Sequence, residues 1–170
     1  VHDADPVQGP APVLLATVRR EAPAELERKT GLIEAGELYV VLKGEAIYLM
    51  QRRQNNQIKI KDVYAVKAKK GDVAIIPPHY GHNIINAFNE PLLVANWISE
   101  KAAHDYEPYK NNHGASYYLV DNGNLIDIVK NPNYDLIPEI KKIPSKKQSS
   151  PLYSKVFNHP EEFEGEWRNW

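Results

Sequence analysis

The chain has 170 residues, 42% hydrophobic and 25% charged, with 21 basic against 22 acidic side chains and no cysteine. That length buries a sizeable core unaided, and the missing cysteines exclude disulfide scaffolds, cysteine–zinc sites and thiol catalysis, so any metal rests on His, Asp or Glu. A net charge of −1 gives no overall pull toward nucleic acid or anionic lipid, and six histidines (His2, His79, His82, His104, His113 and His159) are all that a His-based site could draw on.

The opening VHDADPVQGP is neither basic nor apolar enough for a signal peptide, and no run reaches the roughly 18 apolar residues of a membrane span. The expectation is a cytoplasmic protein with neither nucleic acid nor membrane as partner. A first residue of Val1 rather than Met is expected of a processed or shortened chain. Residues 13–20 (VLLATVRR), set off by Pro10, Pro12 and Pro23, read as a strand between breakers. Residues 37–50 (ELYVVLKGEAIYLM) split at Lys43-Gly44-Glu45 into two β-branched and aromatic pieces, the composition of a hairpin.

A polar turn at Asn55-Asn56 precedes Ile58 and Ile60 alternating with Lys59 and Lys61, a half-buried strand that continues to Val66. Further strands are expected over 73–76, 83–86 and 92–98, the first stopped by Pro77-Pro78. The turn Asp121-Asn122-Gly123-Asn124 joins 118–120 to 125–129 in another hairpin. Short strands at intervals of about 8–12 residues point to an all-β sandwich or barrel with few helices. Past Asn131-Pro132 the composition shifts: 138–150 is polar, basic and proline-interrupted, and 160–170 is acidic with Trp167 and Trp170. The domain therefore spans 1–134, and 135–170 forms an extended C-terminal arm packing on the domain or on a partner subunit. Lys141, Lys142, Lys146 and Lys147 read as a solvated basic run. The stretch from Gly31 to Gly36 mimics a phosphate loop, but Glu37-Leu38 stands where Lys-Ser/Thr is required, so that reading is dropped.

One constellation carries chemistry. From Gly71 the chain reads GDVAIIPPHYGHNIIN, with Pro77 six residues after Gly71, His82 five after Pro77 and Asn86 four after His82; upstream, Gly44 follows Glu37 by seven. These spacings resemble the two motifs of the cupin superfamily. Gly44 and Gly71 permit tight turns, Pro77 ends a strand, and Glu37 and His82 project from facing strands into a barrel mouth, a carboxylate and an imidazole suited to one divalent metal. Where cupins usually carry Gly two residues after Pro77, this chain has His79.

Together with HDY (104–106) and NPNY (131–134), the strings ELYVVLKG (37–44) and PPHYGH (77–82) make the chain resemble the archaeal cupin-type glucose-6-phosphate isomerases over roughly 13–134. The resemblance implies a jelly-roll homodimer that interconverts glucose 6-phosphate and fructose 6-phosphate with a bound divalent ion, Fe, Mn, Ni or Zn. It makes Glu37 and His82 metal ligands, Glu37 and Tyr39 the catalytic pair, Thr17 and Thr30 phosphate contacts, and His79, His104 and Tyr106 substrate contacts. The family's Gly-His-x-His stretch, source of two further ligands, is missing: 21–36 reads EAPAELERKTGLIEAG, without histidine. The expectation is that a loop carrying the pair follows Thr30 in a longer form of the protein; the alternative is a site without it. Two other readings stay open, a metal-dependent cupin oxygenase and a non-enzymatic sugar-binding cupin.

Overall fold

The computed structural model describes residues 13–20, 36–54, 59–99, 105–122 and 125–147, with backbone alone for 14–20 and 99. Alternation of apolar and polar residues is resolved into strands β1 (Val13–Arg20), β2 (Glu37–Lys43), β3 (Glu45–Arg53), β4 (Ile60–Lys69), β5 (Asp72–Ile76), β6 (Gly81–Ile85) and β7 (Leu92–Ser99). A one-and-a-half-turn helix α1 (Glu107–Asn111) follows, then β8 (Tyr117–Asp121), β9 (Ile126–Lys130), β10 (Ile140–Pro144) and β11 (Lys146–Lys147). The fold is all-β, as the spacing of apolar runs implies. One sheet has the order β1-β7-β2-β5-β11, a second β10-β4-β3-β6, and β8 with β9 form a separate hairpin.

The two larger sheets face each other across the core. Tyr39, Val41, Ala74, Ile76, Leu92 and Val94 from the first meet Tyr48, Met50, Val66 and Ala68 from the second. Each such aliphatic side chain contributes about 1.5–3 kcal/mol on burial. The period-2 pleat fixes which residues these are, and a one-residue slip would turn every one of them outward. At the β2–β3 turn Gly44 adopts φ +79°, and a Cβ there would stand 2.8 Å from the Pro91 carbonyl oxygen. Conformation and close approach both demand glycine.

The outer face of the second sheet is covered by the segment after α1, where Ala115, Tyr117 and Tyr134 pack on Leu49, Ile60 and Val63. Asn131, fully buried, explains the NPNY string. Its Nδ2 donates to the Asn112 and Ala115 carbonyls, both at 2.8 Å, and its Oδ1 accepts from the Asn133 N–H at 2.9 Å. Gln51 ties this layer to β3 by donating to Tyr134 Oη at 3.1 Å and accepting from the Ser116 N–H at 2.7 Å. Tyr109 of α1 lies against Gly81, where a Cβ would meet its ring at 2.7 Å.

The first part of the C-terminal arm adds strands that its prolines and lysines do not announce. β10 pairs parallel with β4, and β11 pairs antiparallel with β5. The basic run is exposed yet not simply solvated: the Lys141 ammonium lies 5.5 Å from the Tyr64 ring centroid, and Lys147 donates to the Asp72 carboxylate. Asp72 also accepts from Ser145 Oγ at 2.7 Å and from the Lys69 N–H at 3.2 Å. Burial by itself raises its pKa, but the Lys147, Ser145 and Lys69 donors outweigh burial and hold it below the ordinary carboxylate value. Residues 148–170, with the two C-terminal tryptophans, lie outside the described residues.

A carboxyl depressed in the fold stabilises it above the unfolded pKa of about 3.9, and the contribution is lost as pH falls through the lower, folded value. Asp72→Asn is expected to lower stability by about 1–3 kcal/mol at pH 7. Thermal melts of variant and wild type should converge below about pH 4. A gap that stays constant across this range would show that the charge is not what matters.

Candidate active site

Strand β2 runs between β5 and β7, so its inward side chains are flanked on both sides. Glu37 and Tyr39, two residues apart, share that inner face. The register sets Tyr39 opposite Ala74 on β5 and opposite Asn96 on β7. His82 arrives from the other sheet, on β6 opposite Met50 of β3, a core residue. The pleat thus aims side chains from β2, β7 and β6 at one point near the end of the barrel.

There the polar groups meet. Tyr39 Oη donates to Glu37 Oε2 at 2.6 Å and lies 2.9 Å from His82 Nε2. The phenol has one hydrogen and gives it to the carboxylate, so the imidazole is the donor in the second contact. With the phenol hydrogen on Glu37, the hydrogen of the His82 ring is assigned to Nε2 in metal-free protein. Asn96 Nδ2 donates to Glu37 Oε2 and to Tyr39 Oη, both at 3.3 Å. Glu37 and His82 keep narrow access, at 13% and 15% side-chain exposure, whereas Tyr39 is 3% exposed. Burial first, then the hydrogen bond and charge of Glu37, push the Tyr39 phenol far above its ordinary pKa. It remains protonated at neutral pH and can pass a proton only by replacing it at once.

His82 joins Glu37 and Tyr39 from 43 residues beyond Tyr39 in the chain. Asn96 was not among the residues singled out from sequence, although one signal was there: in the run LLVANWIS the inward positions are Leu92, Val94, Asn96 and Ile98, and only Asn96 is polar. Thr17 on β1 pairs through its backbone with Asn96, which sets it in the same row as Tyr39. His79 is exposed on the turn between β5 and β6 with φ +68°, the left-handed region that favours glycine. Tyr106, 60% exposed, precedes α1, and its neighbour Asp105 accepts from Arg53 Nη2 at 3.2 Å. Thr30, His104 and the join at 29–31 lie outside the described residues.

As metal ligands, Glu37 Oε2 and His82 Nε2 are of suitable type and stand 3.8 Å apart. Among the described residues no third His, Cys, Asp or Glu joins them. Ligation through Nε2 also needs a lone pair on the atom that here carries the hydrogen. The described residues fit a divalent ion as two of its ligands and not as a complete site. Nearby, Arg52 follows Met50 on the inner face of β3; its Nη2 donates to Asp62 Oδ2 at 2.7 Å and its guanidinium lies 5.1 Å from the Tyr80 ring centroid.

A family model described as glucose-6-phosphate isomerase matches residues 27–137. Curated glucose-6-phosphate isomerases resemble the chain at low identity. The protein of Thermococcus gammatolerans is 27% identical over 103 residues, 61% of this chain and 51% of its own length. That of Thermococcus onnurineus is 27% identical over 101 residues, covering 59% and 50%, and that of Pyrococcus furiosus is 26% identical over 102 residues, covering 60% and 50%. The chain thus spans about half the length of the curated relatives it matches.

The hydrogen-bond directions make a prediction that needs no substrate. In metal-free protein, ¹⁵N spectra are expected to show the neutral His82 ring with its hydrogen on Nε2, and Tyr39→Phe is expected to abolish that preference. A ring carrying hydrogen on Nδ1 alone in the wild type would reverse the assigned direction of transfer.

Proposed function

The chain belongs to the glucose-6-phosphate isomerase family, which its model matches over residues 27–137, and on that footing we propose that it interconverts glucose 6-phosphate and fructose 6-phosphate. The observation that carries this reading is the hydrogen-bonded cluster itself. A carboxylate and a phenol of β2 and an imidazole of β6 are linked through Tyr39 Oη at 2.6 and 2.9 Å. Aldose–ketose exchange needs one group to move hydrogen between C1 and C2 and a second to serve the two oxygens. The cluster has both.

In the proposed cycle Glu37 takes the C2 proton of the aldose, forming an enediol, and returns it to C1. Over the same two steps O1 gains a proton and O2 loses one, so the balance closes without any co-reactant. Tyr39 gives its hydrogen to O1 and takes in exchange the hydrogen that leaves O2, so the phenol is restored at the end of the cycle. A divalent ion held by Glu37 and His82 (Fe, Mn, Ni or Zn) would polarise the two oxygens as a Lewis acid. Thr17 and Thr30 are assigned to the phosphate, with His79, His104 and Tyr106 along the sugar. Phosphate binding far from C1 and C2 helps position the reacting carbons.

The proposed assembly is a homodimer. On the β8–β9 hairpin Ile126 and Ile128, 38% and 48% exposed, share one face of β9. Such a face is best covered by a second copy. No helix among the described residues is long and apolar enough to cross a membrane.

A coupled assay for glucose 6-phosphate formed from fructose 6-phosphate tests the activity. Turnover is expected with added Mn²⁺ or Zn²⁺, to fall on chelation, and to drop by about 10²–10⁴ in kcat for Glu37→Gln. No turnover by metal-supplied wild type would remove the isomerase reading and leave the oxygenase or sugar-binding alternatives. Sedimentation is expected to show a dimer that Ile128→Lys dissociates; an unchanged mass would place the interface elsewhere.

A further inference from the structure

Asn96 sits where an apolar residue would pack better. It is 6% exposed, on the inner face of β7 between Val94 and Ile98, and a core of tyrosines and aliphatics surrounds its row. Its Nδ2 makes the two contacts already described, to Glu37 Oε2 and Tyr39 Oη. Among the described residues its Oδ1 is buried without a partner. The orientation follows from the chemistry of its neighbours: a carboxylate oxygen only accepts, so the amide turns its NH₂ toward Glu37 and its oxygen away from every described donor. A stranded buried acceptor is destabilising. A leucine or valine would avoid that cost and fill the same space, as Leu92 and Val94 do along the strand. Local rules broken in this way, with the polar head turned onto reactive groups, mark positions kept for function rather than for packing.

We propose that Asn96 is a positioning residue, whose amide holds the Glu37 carboxylate and the Tyr39 hydroxyl in mutual alignment for proton transfer. Glu37 Oε2 receives hydrogens from both Tyr39 and Asn96, and Tyr39 Oη receives one from Asn96 while giving its own away. With one Asn96 hydrogen on each group, the amide closes a triangle that directs the phenol hydrogen at Glu37 until substrate oxygen is there to take it. Its catalytic consequence rests on the isomerase reading; its effect on the geometry does not.

The variants are Asn96→Leu, of similar volume with no polar head, and Asn96→Asp, which keeps the shape and replaces the donor by an oxygen. For Asn96→Leu the expected result is a Tm equal to or above that of the wild type, with kcat down about 10- to 100-fold and KM within about threefold. Asn96→Asp is expected to lower kcat at least as much, because it sets a second acceptor against Glu37. The buried Tyr39 hydroxyl proton, followed by ¹H NMR, is expected to shift in both. Wild-type kcat in either variant, a loss of activity that tracks loss of folded protein, or an unmoved Tyr39 hydroxyl resonance would each overturn the proposal. Wild type that does not turn over fructose 6-phosphate defeats the isomerase reading alone, and the Tyr39 resonance then decides Asn96 by itself.

Discussion

The Tyr39 hydroxyl is the group on which the candidate site depends. It is buried at the inner face of the strand flanked by β5 and β7, where an unpaired phenol would be destabilising, and it is satisfied by Glu37, His82 and Asn96 together. Those partners come from β2, β6 and β7, that is, from both faces of the barrel. Satisfying one oxygen thus requires that the sheets stack at the right height and that no strand slip by a residue. The aromatic contacts act in the same sense: the Tyr39 ring lies 5.3 Å from both Tyr48 and His82, so its orientation is fixed by packing before any hydrogen bond is counted.

The scaffold around that point divides its labour. Apolar pairs between the sheets hold the barrel, and the outer layer built on Asn131, Gln51 and Tyr134 braces β3 from behind. Gln51 is on the outer face of the strand whose inner face carries Met50 opposite His82. Tyr109, packed on Gly81, presses on the strand that bears His82. At the other side Asp72 fastens the start of the C-terminal arm through Ser145 and Lys147. Among the described residues, buried Gln51, Asp72 and Asn131 clamp one element to another, while Asn96 belongs to the Tyr39 cluster.

Legibility from sequence followed the range of the forces involved. Lys43-Gly44-Glu45 and the prolines at 77 and 78 mark turns because glycine φ and proline geometry are local properties. The spacing between Glu37 and Gly44, and between Gly71 and Asn86, singled out Glu37 and His82, and both stand in the cluster. β10 and β11 were not legible, because their pairing with β4 and β5 is set by partner strands and by the Asp72 clamp rather than by the propensity of IKKIP or KK. Asn96 was missed for a related reason. A single polar residue in an apolar run has no meaning until it is known what faces it.

The alternation of apolar residues was by itself enough to determine an all-β domain, and the lack of cysteine to exclude thiol chemistry, since these depend only on the pleat and on composition. The tertiary structure alone decided that Tyr39 is the centre of the hydrogen-bonded cluster, that Asn96 donates to it, and that Glu37 and His82 are two potential ligands and not a full metal site among the described residues. Hydrogen bonds of 2.9 to 3.3 Å between residues 43, 57 and 59 positions apart exist only after the sheets have packed.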